Sequence, residues 1–391
     1  MPWLKKEPME QRIEFAMKSL RTSNFRELCA EYGISAKTGY KWQRRFLELG
    51  TCGMGEQSRR PVRHADQMSE AVVCEIIRLK LVHRYWGPRK LRELYLRQHG
   101  QAASESSFKR VLERAGLTEK RRRRQLAQTA GRLWSERRGQ APNEVWTVDF
   151  KGWWYDPEGK RCEPLTVRDE YSRYVLALRR LPDARTTTVR SCFERLFEQN
   201  GVPGAIRSDN GVPFAQARSL LGLSRLSAWW VALGIDLERG RPGHPQDNGG
   251  HERLHRDIGM ELQPHTTDQA ALDLWRTEFN QERPHEALGM KCPAQVYQKS
   301  ARNYGGTPED LEYPGMDCRR VSQAGRIKWR RTIPFITTSL AGWSVGLKAQ
   351  ADGSQEVYFG RLLLGWLDPA TESFHRADLR PVEAGQTETH V

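Results

Sequence analysis

Apolar residues recur at helical spacing through roughly the first 115 positions, alternate with polar ones from Pro142 onward, and contract into short runs after about residue 300. Between residues 11 and 32 the positions Ile13, Phe15, Ala16, Leu20, Phe25, Leu28 and Tyr32 fit two short amphipathic helices broken near Thr22-Ser23-Asn24. A glycine turn at Gly33 follows, and Ser35 is placed to cap a third helix over 36–47, with Tyr40, Phe46 and Leu47 expected to pack inward. Residues 50–65 break every period with Gly50, Gly53, Gly55 and Pro61 and read as a linker. A second helical block comprises 72–85, a turn at Trp86-Gly87-Pro88, 89–96, and a helix to Ala115 that Ser104 caps and Gly116 ends. From Pro142 the pattern predicts strands at 144–150, 165–169, 174–178, 204–209 and 234–237, with helices at 185–199 and 215–233. The last part, with short runs at 326–329, 334–337, 343–347, 357–359 and 362–367, predicts a small β-barrel.

The fold class is therefore multidomain: all-α helix-turn-helix domains, an α/β core, and a small C-terminal β-barrel. The predicted boundaries are 1–52 for the first helix-turn-helix domain, 53–68 for a linker and 69–118 for the second. A basic linker takes 119–140, the α/β domain 141–300, the barrel 301–380 and a tail 381–391. A length of 391 residues agrees with several domains, and 13 Trp, 12 Phe and 11 Tyr supply enough apolar volume to give each a core. No apolar run approaches the ~18 residues of a membrane span, and the N-terminal residues lack the apolar stretch of a secretion signal. The seven Cys form no C-x-x-C pair, which points to neither a disulfide framework nor a zinc knuckle; a cytoplasmic protein is expected.

Charge sharpens this picture through its distribution. The net charge is +15, yet residues 1–140 hold 31 basic against 15 acidic side chains, while the rest of the chain is close to neutral. Such concentration predicts a polyanionic partner, double-stranded DNA. In a helix-turn-helix the second helix presents its N-terminal side chains to base edges, and Ser35, Lys37, Thr38, Lys41 and Arg44 suit that place. Arg89, Lys90, Lys109 and Arg110 are the corresponding candidates in the second block. The run Lys120 to Arg124, with Arg122 and Arg123, reads as a phosphate-binding arm.

Three acids carry the candidate chemistry. Asp149 alternates with the apolar Val148 and Phe150 on a strand, Asp209 ends another strand before Asn210-Gly211, and Glu252 opens a helix after a Pro/Gly-rich loop. Taken singly, Asp209 could belong to a hairpin turn, Asp149 to strand-end hydrogen bonding, and Glu252 to a favourable helix N-terminus. Brought to one sheet edge, the three could hold two Mg²⁺ ions, with Mn²⁺ as a substitute, because oxygen-only ligands suit a hard cation. Lys151, Arg207, His244, Arg253, His255 and Arg256 surround them in sequence, and Arg256 follows Glu252 by one helical turn, where it could hold DNA beside the acids.

The segments 146–151, 169–174, 207–211, 243–249 with His251-Glu252-Arg253, and 279–285 followed by Cys292-Pro293-Ala294 resemble bacterial insertion-sequence transposases with a retroviral-integrase-type DDE core. Residues 28–35 and 86–91 also resemble the N-terminal DNA-binding blocks of that group. The resemblance implies a ribonuclease H-like fold and Mg²⁺-dependent cleavage at transposon ends, followed by joining of the freed 3′-OH to target DNA. It also implies a homo-multimer bridging two terminal inverted repeats, at work on the bacterial nucleoid. It places the catalytic and metal-binding acids on Asp149, Asp209 and Glu252, and it gives Asp169 a supporting place in the turn. One departure is the 42 residues between Asp209 and Glu252, longer than in many relatives, where residues 216–230 read as an enlarged helix. Two other readings stand beside this one: a catalytically silent DNA-binding regulator derived from a transposase, and a stand-alone nuclease.

Overall fold

The computed structural model describes residues 7–56, 68–118, 138–216, 219–240, 249–263 and 266–377. They belong to two compact units, Met1–Ser69 and Glu70–Val391. In the smaller unit, α1 (Pro8–Ser19), α2 (Phe25–Glu31) and α3 (Ala36–Leu49) form a helix-turn-helix domain. The side chains of Asn24 and Ser35 accept the Glu27 and Thr38 amides, satisfying donors that a helix start leaves unpaired. Phe15, Ala16, Leu28, Cys29, Trp42 and Met54 make the core. Tyr40 and Leu47, expected inside, are exposed; Tyr40 instead stacks on Phe25, and Gly39 and Trp42 take the inner face. The expected linker begins later than its glycines suggest, since Gly50–Met54 is a 3-10 turn whose Met54 is fully buried.

Gly39 is required for this packing. A Cβ there would lie 2.6 Å from Cys29 Sγ and 3.0 Å from Phe15 Cζ. Gly39→Ala is expected to destabilise the domain by about 1–3 kcal/mol through overpacking, offset only partly by better helix propensity. A thermal melt at or above the wild-type temperature would contradict that account.

In the larger unit, α4 (Glu70–Val82), α5 (Pro88–His99) and α6 (Glu105–Arg114) enclose Ile76, Leu79, Leu91, Tyr95, Phe108 and Leu112. This second block is bonded to the core that follows. His83 Nδ1 lies 3.0 Å from a Glu278 carboxylate oxygen, Arg97 donates to Cys292 Sγ at 2.8 Å, and Arg89 pairs with Glu286 at 3.3 Å.

The core contains β1 (Val145–Phe150), a small hairpin of β2 (Trp154–Tyr155) and β3 (Arg161–Cys162), β4 (Pro164–Asp169), β5 (Val175–Arg180), α7 (Thr186–Asn200), β6 (Ala205–Ser208), α8 (Arg225–Ala232), β7 (Asp236–Arg239), α9 (Gly249–Glu261) and α10 (Gln269–Gln281). The sheet order is β5-β4-β1-β6-β7, with β1 antiparallel to β4 and parallel to β6, the arrangement of a ribonuclease H-like core. Alternation along β1 sends Trp146 and Val148 to one face, where Phe193, Phe197, Trp229 and Trp230 of α7 and α8 cover them. Thr147 and Asp149 point to the other face, which α9 and α10 cover with Leu254, Ile258, Trp275 and Phe279.

Two expectations need correction. The helix predicted over 215–233 starts only at Arg225, where Ser224 and Ser227 form a capping box; Leu221 and Gly222 before it have positive φ and cannot continue a helix. The C-terminal region is also not a barrel. Among the described residues β8 (Asp317–Arg320), β9 (Ser344–Ala349), β10 (Gln355–Phe359), β11 (Leu362–Asp368) and β12 (Ser373–Arg376) form an open antiparallel sheet, ordered β12-β11-β10-β9-β8. The runs at 326–329 and 334–337 contribute only isolated bridges. The inner face of this sheet is covered by the core itself: Leu220, Leu223, Ala228, Val231 and Ala232 pack with Ile327, Trp329, Val345, Val357 and Phe359. Within the long Asp209 to Glu252 interval, α8 is buried on both sides and serves two cores.

Candidate active site

Parallel register brings the first two acids together. Thr147 of β1 pairs with Arg207 of β6, so two residues further along both strands Asp149 comes level with Asp209, on the same face by the two-residue alternation. The third acid arrives on α9. His251 fits against the same face, its Nδ1 2.8 Å from Thr147 Oγ1 and its Nε2 2.6 Å from Thr166 Oγ1. One turn on, His255 Nε2 is 2.8 Å from Thr166 Oγ1 and its Nδ1 is 3.8 Å from Asp149 Oδ2. Thr166 donates to the Asp149 carbonyl at 2.8 Å. Burial drives the His251 imidazole well below its ordinary range and that of His255 down to about 3, so both stay neutral and act as hydrogen-bonding struts. At the start of α9, the buried Arg168 guanidinium bonds the Gly250 carbonyl.

Glu252 lies one residue past His251, exposed on the flank of this strut. Its charge reaches Asp149. The Asp149 carboxyl is pushed up to about 7, first by burial, then by the charge of Asp209, and further by that of Glu252. Lys151 lies beside it, and burial lowers the pKa of its ammonium against the attraction of Asp149. Among the described residues no three or more His, Cys, Asp or Glu side chains are gathered at metal-ligand spacing. The three candidate acids offer oxygen donors only, the kind a hard divalent cation takes, and the Asp149 carboxyl is raised first by burial and then by its two carboxylate neighbours.

The other acids have structural partners. Asp169 is fully buried, accepting the Asn143 amide at 2.7 Å and the Ser172 amide and hydroxyl at 2.7 and 2.5 Å, which ties the β4–β5 turn to the start of β1. Glu261 accepts from Trp275 Nε1 at 2.6 Å and from both Arg283 NH groups at 3.0 and 2.9 Å.

Residues 139–245 and 233–293 both match the family described as "Integrase core domain". Residues 11–61 match "Helix-turn-helix domain" and residues 38–112 "Homeodomain-like domain". The chain is similar to an uncharacterized 31.7 kDa protein of insertion element IS407 from Burkholderia multivorans, 28% identical over 60% of this chain and 83% of that protein. It is equally similar, at 28%, to an uncharacterized 39.2 kDa protein of insertion element IS476 from Xanthomonas euvesicatoria, over 66% of this chain and 73% of the other. Together these matches support an insertion-sequence transposase with an integrase-type core. Among solved structures, the HTLV-2 integrase catalytic core domain in complex with magnesium aligns over 41% of this chain and 100% of its own, with 17% identity and a TM-score of 0.31.

Within this integrase core the candidate acids occupy β1, the residue that follows β6 and the first turn of α9. The candidate DNA contacts are dispersed. Lys37, Lys41 and Arg44 are exposed along one side of α3, whereas Ser35 and Thr38 are joined to each other at 2.9 Å in the cap. Lys109 and Arg110 are exposed on α6, and Arg256 on α9. Arg89 is held by Glu105 and Glu286, and Lys90 is half-buried against the core. Arg122 and Arg123, like His244 and Asp247, lie outside the described residues. Thr147, Thr166 and Arg168 went unnoticed in the sequence; the only signal was their polarity inside strands otherwise suited to burial.

Asp149 also yields a stability prediction. Its folded pKa lies above the unfolded value, so the unfolded chain releases this proton first, and stability falls as pH rises from about 4 to about 7. Asp149→Asn is expected to remove that decline and, without divalent cation, to raise stability at pH 8 by on the order of 1 kcal/mol after discounting for partial exposure. Urea titrations at pH 5 and pH 8 measure it; an unchanged difference between the two pH values contradicts the electrostatic account.

Proposed function

We propose that this protein is a DNA transposase that binds transposon ends, cleaves them and joins the 3′-OH to target DNA. The observation that carries the reading is the raised carboxyl of Asp149, on which the charges of Asp209 and Glu252 act in addition to burial, at one edge of an integrase-type sheet. In this reading the three acids hold divalent cation, Mg²⁺ or Mn²⁺, which supplies charge stabilisation for the phosphodiester and the oxygens entering and leaving it. Water is the nucleophile for nicking and a DNA 3′-OH for joining, so no side chain needs to form a covalent intermediate. His251, His255 and Thr166 are positioning residues that fix the β1 backbone at Asp149. Lys151 offers a cation to the phosphate beside the acids.

The exposed cations of α3, with Lys109 and Arg110 of α6, serve end recognition, and a homo-multimer pairs the two ends. The bacterial cytoplasm is the setting this chemistry requires; among the described residues no helix is long and apolar enough to cross a membrane. A plasmid excision assay with the element's own terminal repeats tests the reading. Excision that needs Mg²⁺ or Mn²⁺ and stops in chelator is expected. End binding without any excision or strand transfer would instead identify a regulator. In the same chain, Lys41→Ala or Arg44→Ala is expected to weaken specific end binding, and the slope of log K against log[salt] becomes shallower by roughly 0.9 for each phosphate contact removed.

A further inference from the structure

A cavity of about 260 Å³ lies between α5 and the core, lined by Lys90, Arg168, Arg173, Arg253, His285 and Asp257 among others. It is distinct from the acid edge. Gly250, Arg253, Leu254 and Asp257 lie at the i, i+3, i+4, i+7 positions of α9 and face the cavity, whereas Glu252 lies nearly opposite on the helical wheel. The two acids of the lining are already engaged, Asp257 with Arg283 at 3.3 Å and Glu286 with Arg89 at 3.3 Å. The cations are not balanced. Arg168 is only 5% exposed and its Nε has no hydrogen-bond partner; Arg173 Nε and His285 Nε2 are likewise buried and unpartnered. Buried guanidinium donors of this kind are costly unless something accepts from them.

We infer that this cavity is a phosphate-binding site, in which one phosphate or diphosphate group accepts from Arg168, Arg173 and His285 and neutralises Lys90, closing α5 onto the core. Planar guanidinium donors converging with an ammonium suit the geometry and charge of a phosphoryl group. The volume exceeds the ~30 Å³ share of a water several-fold, enough for a phosphoryl group with part of what it is attached to. The crowding has a measurable trace: burial and the neighbouring Arg283 hold the Lys90 ammonium down to about 8. The phosphoryl group could be a DNA backbone phosphate or a free phosphate species, and the site stands whether or not the acid edge is catalytic.

The full chain is melted in chloride and in inorganic pyrophosphate at matched ionic strength. A higher melting temperature in pyrophosphate is expected for the wild type and for Glu252→Gln, with no rise for Arg173→Gln. Lys90→Met removes a repelled cation, so it should melt above the wild type in chloride and gain nothing from pyrophosphate. This variant keeps the test decisive if Arg173→Gln folds poorly. Absence of a rise in the wild type, or a rise retained by Lys90→Met, overturns the proposal. A short DNA duplex then separates the sources. If it abolishes the pyrophosphate effect, the occupant is a DNA phosphate; if both effects add, it is a free phosphate species.

Discussion

Glu252→Gln is expected to eliminate cleavage and strand transfer, by about a thousandfold or more, while leaving transposon-end binding intact. The substitution keeps volume and helix propensity but removes one of the two carboxylate charges that act on Asp149. Loss of an anionic ligand forfeits several kcal/mol of transition-state stabilisation, and each ~1.4 kcal/mol is a factor of ten in rate. Binding should survive, because the exposed cations of α3 and α6 belong to other helices. Folding should survive too, since Glu252 is exposed and its charge opposes that of Asp149. A strand-transfer assay on end DNA, paired with a mobility-shift measurement, reads both quantities. Near wild-type joining by Glu252→Gln would move the third acid elsewhere, and Asp247→Asn would be the next variant to measure.

Glu261→Ala is expected to fail in the opposite way, losing stability first. Glu261 is nine residues beyond Glu252, roughly 13 Å along the helix, too far for both to serve one cation site. Its carboxylate is committed to Arg283, itself 4% exposed, and to Trp275 Nε1. Deleting one partner of a buried ion pair leaves the other charge uncompensated, at a cost of about 3–5 kcal/mol; Asp257, 3.3 Å from Arg283, brings the expectation to the lower end. Glu261→Gln, which keeps hydrogen-bonding capacity, should be milder and retain measurable strand transfer. Urea unfolding of the wild type and the two variants ranks them; a Glu261→Ala chain as stable as the wild type would contradict the role assigned to this pair.

Local signals were sufficient for much of the architecture. Capping residues mark helix starts by chemistry acting over three residues, so Asn24, Ser35 and Ser104 could be read from the sequence, and the structure has each of the latter two at the predicted cap. The strand carrying Asp149 was legible for a similar reason: alternation of Trp146, Val148 and Phe150 with Thr147 and Asp149 is a two-residue period that any half-polar strand must show. Segments buried on all sides were not legible. In α8 the residues from Leu226 to Ala232 are all buried, so no polar face marks its start and the helix was read about ten residues too early. The C-terminal strands carried a β signal, but closure into a barrel depends on whether the edge strands meet, and the sheet instead covers its inner face with α8.

The sequence by itself determined the helix-turn-helix blocks, the α/β alternation, the concentration of positive charge, and three acids at strand ends and a helix start. These are properties of periodicity, capping and composition, each set within a few residues. Only the tertiary structure decided which side chains share a neighbourhood. Parallel register of β1 and β6 brings Asp149 level with Asp209, and two imidazoles on α9 seat that helix against Thr147 and Thr166. The same packing withdraws Glu261 and Asp169 into structural bonds and turns Lys90 from a surface candidate into the wall of a cationic cavity. Burial and Coulomb interaction act through space between residues far apart in the chain, so no pattern along the sequence encodes them residue by residue.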